Sequence, residues 1–147
     1  MYWTRTIAGQ PKFDIDPFMT PTNAAIIRKA YEDFAKGDIP AVLAAFHPSI
    51  AWHIPGRSPL SGDYRGHDEL IGFFNHTLHL SGGRFAIEVD HLLAEKDVVV
   101  ALVTIRAERN GRPAAFPEVH VWRLAHGKVT AFREFQGDEQ AEDQFWS

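Results

Sequence analysis

The hydrophobic pattern changes its period near Arg84, and this change constrains the fold more than any other feature. Before Arg84, apolar residues recur at helical spacing, which predicts helices that begin at Thr20–Pro21, at Asp38 and near His67. The third of these helices is expected over 67–80. A single strand is expected over 49–54, between the second and third helices, and a loop is expected over 55–66.

After Arg84, apolar and polar residues alternate, which predicts strands over 85–94, 98–109, 114–124 and 128–136. The short connections between these segments fit hairpins. Helices followed by an antiparallel meander indicate an α+β fold. If such a sheet curves around the helices, it forms a cone with a hollow for a ligand.

The length of 147 residues fits one domain, which we place at 20–147. Residues 1–19 contain two prolines and four large aromatic residues, so they are expected to form either an ordered arm or a free tail. The aromatic residues favour an arm that wraps around a partner subunit.

The composition excludes several kinds of protein. There is no cysteine, so disulfides, thiolate catalysis and thiolate metal sites are ruled out. A net charge of −4 without a basic run argues against nucleic-acid binding. No apolar run is long enough to span a membrane, and the first residues lack the apolar segment of a signal peptide, so a cytoplasmic protein is expected.

Several motifs in the chain resemble the SnoaL-like domain of the nuclear transport factor 2-like superfamily. They are Tyr-Glu-Asp-Phe-Ala-Lys-Gly-Asp at 31–38, Trp-His-Ile-Pro-Gly-Arg-Ser-Pro-Leu-Ser-Gly at 52–62, Gly-His-Asp-Glu at 66–69, and the run at 119–129. The resemblance covers roughly 22–138. The superfamily includes polyketide cyclases, steroid isomerases and non-catalytic binding proteins, so it implies the fold better than the reaction.

The resemblance implies a cone-shaped α+β barrel, a homodimer that packs through the sheet, and chemistry without a cofactor. In the cyclases, a His and an Asp on adjacent strands face the substrate, and the matching residues here are His120 and Glu134. The general base of the steroid isomerases falls at His53. Their helix-one Tyr falls at Ala30, next to Tyr31, so an isomerase assignment lacks one of its groups.

Strand alternation alone leaves the relation of His120 to Glu134 open. A three-residue loop at 125–127 would place Glu134 diagonal to His120 on the same face. A two-residue turn of His126 and Gly127 would set Arg133 beside His120 and send Glu134 to the other face. A glycine at the third loop position favours the first arrangement.

His120, Glu134 and His53 are therefore the candidate catalytic residues, because His and carboxylate side chains can move protons near neutral pH. Each also has a purely structural interpretation. His120 would be a buried histidine, Glu134 would belong to a surface ion pair, and His53 would be an ordinary strand residue. A two-histidine, one-carboxylate metal site is conceivable, but no metal or cofactor is expected. The candidate substrate-binding residues are Trp52, Trp122, Phe132, Phe73, Phe74 and Tyr31.

Two functions fit the sequence. The first is a cofactor-independent isomerase or cyclase that transfers protons on an apolar, carbonyl-containing small molecule. The second is a non-catalytic protein of the same fold that binds a small ligand or serves as a dimeric interaction module.

Overall fold

The computed structural model describes residues 21–147, which form four helices and six strands. The helices are α1 (Asn23–Ala35), α2 (Ile39–Ala44), α3 (Gly66–Leu80) and α4 (Glu139–Trp146). The strands are β1 (Phe46–Ile54), β2 (Gly62–Arg65), β3 (Phe85–Glu95), β4 (Val98–Arg109), β5 (Arg112–Ala125) and β6 (Lys128–Gln136).

The six strands form one curved, unclosed sheet in the order β2-β1-β6-β5-β4-β3. The four strands after Arg84 form the predicted antiparallel meander. β1 extends the sheet by pairing in parallel with β6. The predicted α+β fold, with N-terminal helices against a curved sheet, is confirmed.

The helices begin at capping residues. The hydroxyl of Thr22 accepts a hydrogen bond from the backbone N–H of Ala25, and the carboxylate of Asp38 accepts one from Ala41. The predicted start of α1 at Thr20–Pro21 is therefore too early, because Thr22 is the cap and Pro21 precedes the helix.

One face of the sheet, here called the inner face, is covered by α1 and α3. α1 packs against β3 and β4, and α3 packs against β1 and β2. β4 shows the expected alternation, since Val99, Ala101, Val103 and Ile105 are buried on the inner face. Their burial supplies hydrophobic stabilisation and fixes which residues of the neighbouring strands point inward.

Two elements were not predicted. Within the expected loop over 55–66, residues Gly62–Arg65 form β2 and pair antiparallel with β1. After the last strand, Asp138 caps α4 by accepting a hydrogen bond from the N–H of Ala141, and Trp146 is buried at the end of that helix. The sequence signal for α4 is its capping aspartate, Asp138, which follows closely after Gln136, the last residue of β6.

The β5–β6 hairpin differs from the favoured prediction. Ala125 pairs with Lys128, so the connection is a two-residue turn in which His126 and Gly127 both have positive φ, at 52° and 78°. The pairing then shifts by one residue, because Thr130 is an extra residue in β6. Such a bulge adds one residue to one strand only.

Residues 1–19, predicted as an arm, lie outside the described residues. Within the described part of the chain, no helix is both long enough and apolar enough to cross a membrane.

Candidate functional site

A cavity of about 70 Å³ lies between the inner face of the sheet and helices α1 and α3. Its wall is almost entirely aromatic and aliphatic, and the polar exceptions include His120 and Glu134. All six predicted substrate-binding residues line it: Tyr31, Trp52, Phe73, Phe74, Trp122 and Phe132. An apolar pocket with few polar groups is typical of a small-molecule site.

Strand pairing builds one side of this cavity. Phe132 on β6 lies between Trp52 on β1 and Trp122 on β5, as the direct partner of each. Its ring stacks on Trp52 with the centroids 3.8 Å apart and meets Trp122 edge-on at 4.6 Å. Contacts of this kind add to the stability gained from burial. The three rings form a fixed aromatic wall.

The next inward-facing pair along β5 and β6 is His120 and Glu134, which lie directly opposite each other. The imidazole Nε2 of His120 is 3.9 Å from Oε1 of Glu134 and 3.1 Å from Oε1 of Glu118. The side chains of His120 and Glu118 are 4% and 3% exposed, while that of Glu134 is 13% exposed. Glu134 is thus the most accessible carboxylate of the group, at the cavity wall.

Tyr31 holds the other nitrogen of His120. Its hydroxyl lies 2.7 Å from Nδ1 of His120 and accepts a hydrogen bond from Nε1 of Trp122 at 3.0 Å. If the phenol donates to Nδ1, the proton of the neutral imidazole resides on Nε2 and is directed at Glu118. We assign this tautomer because it leaves every proton of the network with an acceptor.

Burial determines the protonation state of the histidine. Removal from water lowers the pKa of His120 to about 4, and the negative charge of Glu134 offsets this only in part. Burial also raises the pKa of Tyr31, against the effect of the hydrogen bond from Trp122. Both groups are therefore neutral near pH 7.

Two further buried carboxyl groups, those of Glu118 and Glu142, adjoin the pair of His120 and Glu134. Neither was predicted from the sequence as a site residue. Burial and the charge of Glu134 raise the pKa of Glu118 well above its usual range. Glu142, on α4, is 2% exposed, and burial together with a hydrogen bond to Glu118 raises its pKa to about 11. A carboxyl–carboxyl hydrogen bond requires a proton, so this cluster retains protons at neutral pH.

Gln136 completes the surroundings of Glu134, since its amide nitrogen donates to Oε2 of Glu134 at 2.8 Å. Gln136 and Glu118 could have been found from the sequence, because they follow the same alternation as Glu134 and His120. Glu142 could not be found in this way, because its place depends on α4 folding back against the sheet.

The ligand atoms of Glu118, His120 and Glu134 lie within 4.8 Å of one another, so these residues form a possible donor set for a metal ion. An ion there would have to displace the hydrogen bond from His120 to Glu118 and the proton that burial favours on Glu118. The arrangement is better suited to sharing protons.

His53 does not join this group. It pairs with Arg133, and its neighbour Trp52 points inward, so His53 lies on the opposite, outer face of the sheet. There Nδ1 of His53 lies 2.6 Å from Oδ1 of the exposed Asp63. The expectation that His53 faces the same pocket as His120 and Glu134 is therefore corrected, because strand alternation turns it away.

Comparison with known proteins places these residues in a family context. The family model described as SnoaL-like domain matches residues 27–132. The structure is similar to that of Bal32a from a soil-derived mobile gene cassette, with a TM-score of 0.81 and 31% identity over 85% of this chain and 96% of the other.

Two further solved structures are similar. An NTF2-like protein of unknown function from Burkholderia pseudomallei gives a TM-score of 0.76 with 31% identity, over 83% of this chain and 95% of the other. TerC, co-crystallized with polyporic acid, gives a TM-score of 0.74 with 26% identity, over 82% of this chain and 94% of the other. The predicted relationship to the SnoaL-like, NTF2-like proteins is thereby confirmed.

Proposed function

Because this chain belongs to the SnoaL-like domain family, we propose that it is a cofactor-independent enzyme that transfers a proton on a small, largely apolar carbonyl compound. The observation that carries this proposal is the direct pairing of His120 with Glu134 in the wall of an aromatic cavity. The fold alone does not specify a reaction, so the proposal rests on this site.

Glu134 is the group best placed to act as general base. It is a carboxylate in the cavity wall, and hydrogen bonding by the amide of Gln136 holds its other oxygen. A carbonyl compound with an acidic C–H would lose that proton to Glu134, while the electron pair of the C–H bond moves towards the carbonyl oxygen. Return of the proton to a different carbon completes an isomerisation, and its return to the same carbon gives exchange with solvent.

His120 acts as a positioning residue in this scheme. Its neutral ring is held at Nδ1 by Tyr31 and directs Nε2 towards the two carboxyl groups of Glu118 and Glu134. A positively charged His120 would pair strongly with Glu134 and weaken it as a base. Burial, which keeps the pKa of His120 near 4, prevents this near neutral pH.

The apolar wall supports the choice of substrate. Aromatic rings surround the carboxylate and leave little polar surface for a sugar or a nucleotide, whereas a flat hydrocarbon skeleton would bury well against them. A similar chain, TerC, was co-crystallized with polyporic acid. We extend to this protein only the proposal that its cavity holds a small organic ligand.

Exchange of substrate protons with solvent deuterium, followed by NMR, tests the proposal. Acetophenone is a suitable probe, because its methyl protons are acidified by the carbonyl. We expect the protein to accelerate this exchange, and α-methylstyrene, which has the same shape and no carbonyl, to inhibit it by competing for the cavity. His120→Ala should slow exchange about 100-fold or more if the pair acts together.

The second candidate is a non-catalytic protein that holds a ligand in the same cavity. It is favoured by the hydrogen bonds that already occupy both ring nitrogens of His120, to Tyr31 and to Glu118, because a histidine held in this way need not exchange protons with a ligand. Saturable binding of acetophenone without any acceleration of exchange would select this function and reject the enzyme.

A further inference from the structure

One buried polar group without a hydrogen-bond partner in the described part of the chain belongs to a side chain that lines the cavity. The indole N–H of Trp52 is buried, and no oxygen or nitrogen atom among residues 21–147 accepts a hydrogen bond from it. Trp52 itself is only 7% exposed and lines the cavity. Buried donors are usually paired, because leaving one unpaired forfeits its bond with water.

The other tryptophan of the aromatic wall provides the contrast. Trp122 also lines the cavity, but its N–H donates to the hydroxyl of Tyr31 at 3.0 Å. Its hydrogen-bonding capacity is therefore used inside the protein. Of these two indoles, only that of Trp52 keeps an N–H without a hydrogen-bond partner among residues 21–147.

The position of Trp52 suits a substrate that also reaches Glu134. Trp52 is the direct strand partner of Phe132 and stacks on its ring with centroids 3.8 Å apart. Glu134 follows Phe132 by two residues in β6 and therefore points from the same face of the sheet. The indole and the carboxylate thus flank one phenyl ring, at the spacing of neighbouring side chains on a strand face.

We propose that the indole N–H of Trp52 binds the carbonyl oxygen of the substrate. This inference rests on the proposed function and specifies its substrate class: a compact, flat, apolar compound with a carbonyl near an acidic C–H. When Glu134 removes the proton, negative charge develops on the carbonyl oxygen, and the hydrogen bond from Trp52 strengthens. The bond would therefore stabilise the transition state more than the bound substrate.

The competing account is that the N–H faces an aromatic ring. Trp52 meets Trp122 and Phe74 edge-to-face, at interplanar angles of 80° and 88°. An N–H directed at a ring face gains a weak interaction and has no preference for a carbonyl ligand. The two accounts differ in how Trp52 responds to the two matched probes.

The first experiment measures dissociation constants of acetophenone and α-methylstyrene by ligand-observed NMR. Replacing the indole by a phenyl ring in Trp52→Phe removes the N–H and retains an aromatic side chain. We expect the variant to bind acetophenone about fivefold more weakly relative to α-methylstyrene, the effect of one ordinary hydrogen bond. The matched control, Trp146→Phe, alters a buried tryptophan that does not itself line the cavity and should leave the ratio of the two constants unchanged.

A second measurement uses the unaltered protein and so does not depend on the variant folding. The indole ¹H–¹⁵N signal of Trp52, assigned by through-bond correlation, should move downfield with acetophenone and not with α-methylstyrene. An unmoved signal while acetophenone binds, equal weakening of both probes in Trp52→Phe, or no preference for acetophenone would each overturn the inference.

These outcomes are separate from those that decide the proposed function. Selective binding through Trp52 without proton exchange would retain this inference and reject the enzyme. Exchange that Trp52→Phe leaves unchanged would retain the enzyme and reject this inference.

Discussion

His120 and Glu134 lie opposite each other on the inner face of the sheet because Thr130 is an extra residue in β6. The two-residue turn of His126 and Gly127 would by itself place Arg133 across from His120. The bulge shifts β6 by one residue and returns Glu134 to the face that His120 occupies. A local irregularity near the turn thus creates the pairing on which the candidate site depends.

Tyr31→Phe should destabilise the protein by about 2 kcal/mol or more, because it leaves two buried groups, Nε1 of Trp122 and Nδ1 of His120, without their shared partner. Chemical denaturation measures this loss. Tyr64→Phe is the control, since the hydroxyl of Tyr64 makes one hydrogen bond, to the carbonyl of Leu60. The control should lose about 1 kcal/mol. An equal loss in both variants would contradict the Tyr31 network.

His120 should remain neutral between pH 8 and pH 5.5, since burial lowers its pKa to about 4. ¹⁵N NMR of the imidazole should show a proton on Nε2 and an unprotonated Nδ1 throughout that range. Titration of His120 near pH 6.5, or a proton on Nδ1, would show that the assigned network is wrong.

Glu142 should make the free energy of unfolding decrease as the pH rises above about 6.5. The unfolded chain releases the proton of Glu142 near its ordinary pKa, whereas the folded chain keeps it to about pH 11. Each such proton changes the free energy of unfolding by about 1.4 kcal/mol per pH unit. His120 adds nothing in this range, because it is neutral in both states; between about pH 4 and 6.5 it acts with the opposite sign.

Glu142→Gln should therefore make the decrease between pH 6.5 and 9 shallower, as followed by urea denaturation at several pH values, while the raised pKa of Glu118 still contributes a decrease of the same sign. The amide retains the size of the protonated carboxyl group. Glu139→Gln, on the exposed side of the same helix, should follow the unaltered protein. If Glu142→Gln and the unaltered protein have the same slope, Glu142 is not protonated in the folded state.

Phe135→Glu should disrupt the homodimer that the resemblance to the SnoaL-like domain implies. Leu102, Val119 and Phe135 are paired across three neighbouring strands on the outer face, where Leu102 is 37% and Phe135 is 50% exposed. A charge there would oppose burial against a second copy. The sedimentation coefficient of the variant should fall to that of a 16.6 kDa monomer. Leu78→Glu places the same charge on α3, away from the outer face of the sheet, and should leave the dimer intact. If the unaltered protein is itself a monomer, the expectation of a homodimer is wrong.

The sequence was informative where a pattern is local. The change of period near Arg84 predicted the meander, and alternation predicted that Trp122 and His120 share a face. The motifs at 31–38 and 52–62 indicated the family that the comparisons identify.

The sequence was less informative where one residue shifts the pairing or a distant element folds back. The bulge at Thr130 has no strong sequence signal, so neither turn considered for 125–127 predicted the observed partner of His120. Likewise, Glu142 acquires its role only when α4 packs on the sheet. His53 was assigned to the pocket from the family resemblance, which gives the position of a residue along the chain and not the face to which its strand turns it.

Proton exchange in Glu134→Gln tests the central claim most directly. The amide nearly preserves the size of the carboxylate and removes the base, so exchange of the methyl protons of acetophenone should slow about 100-fold or more while the probe still binds. Glu88→Gln, which removes an exposed carboxylate that pairs with Arg106, is the matched control and should exchange at the unaltered rate. If Glu134→Gln also exchanges at the unaltered rate, Glu134 is not the base and the proposed mechanism is wrong.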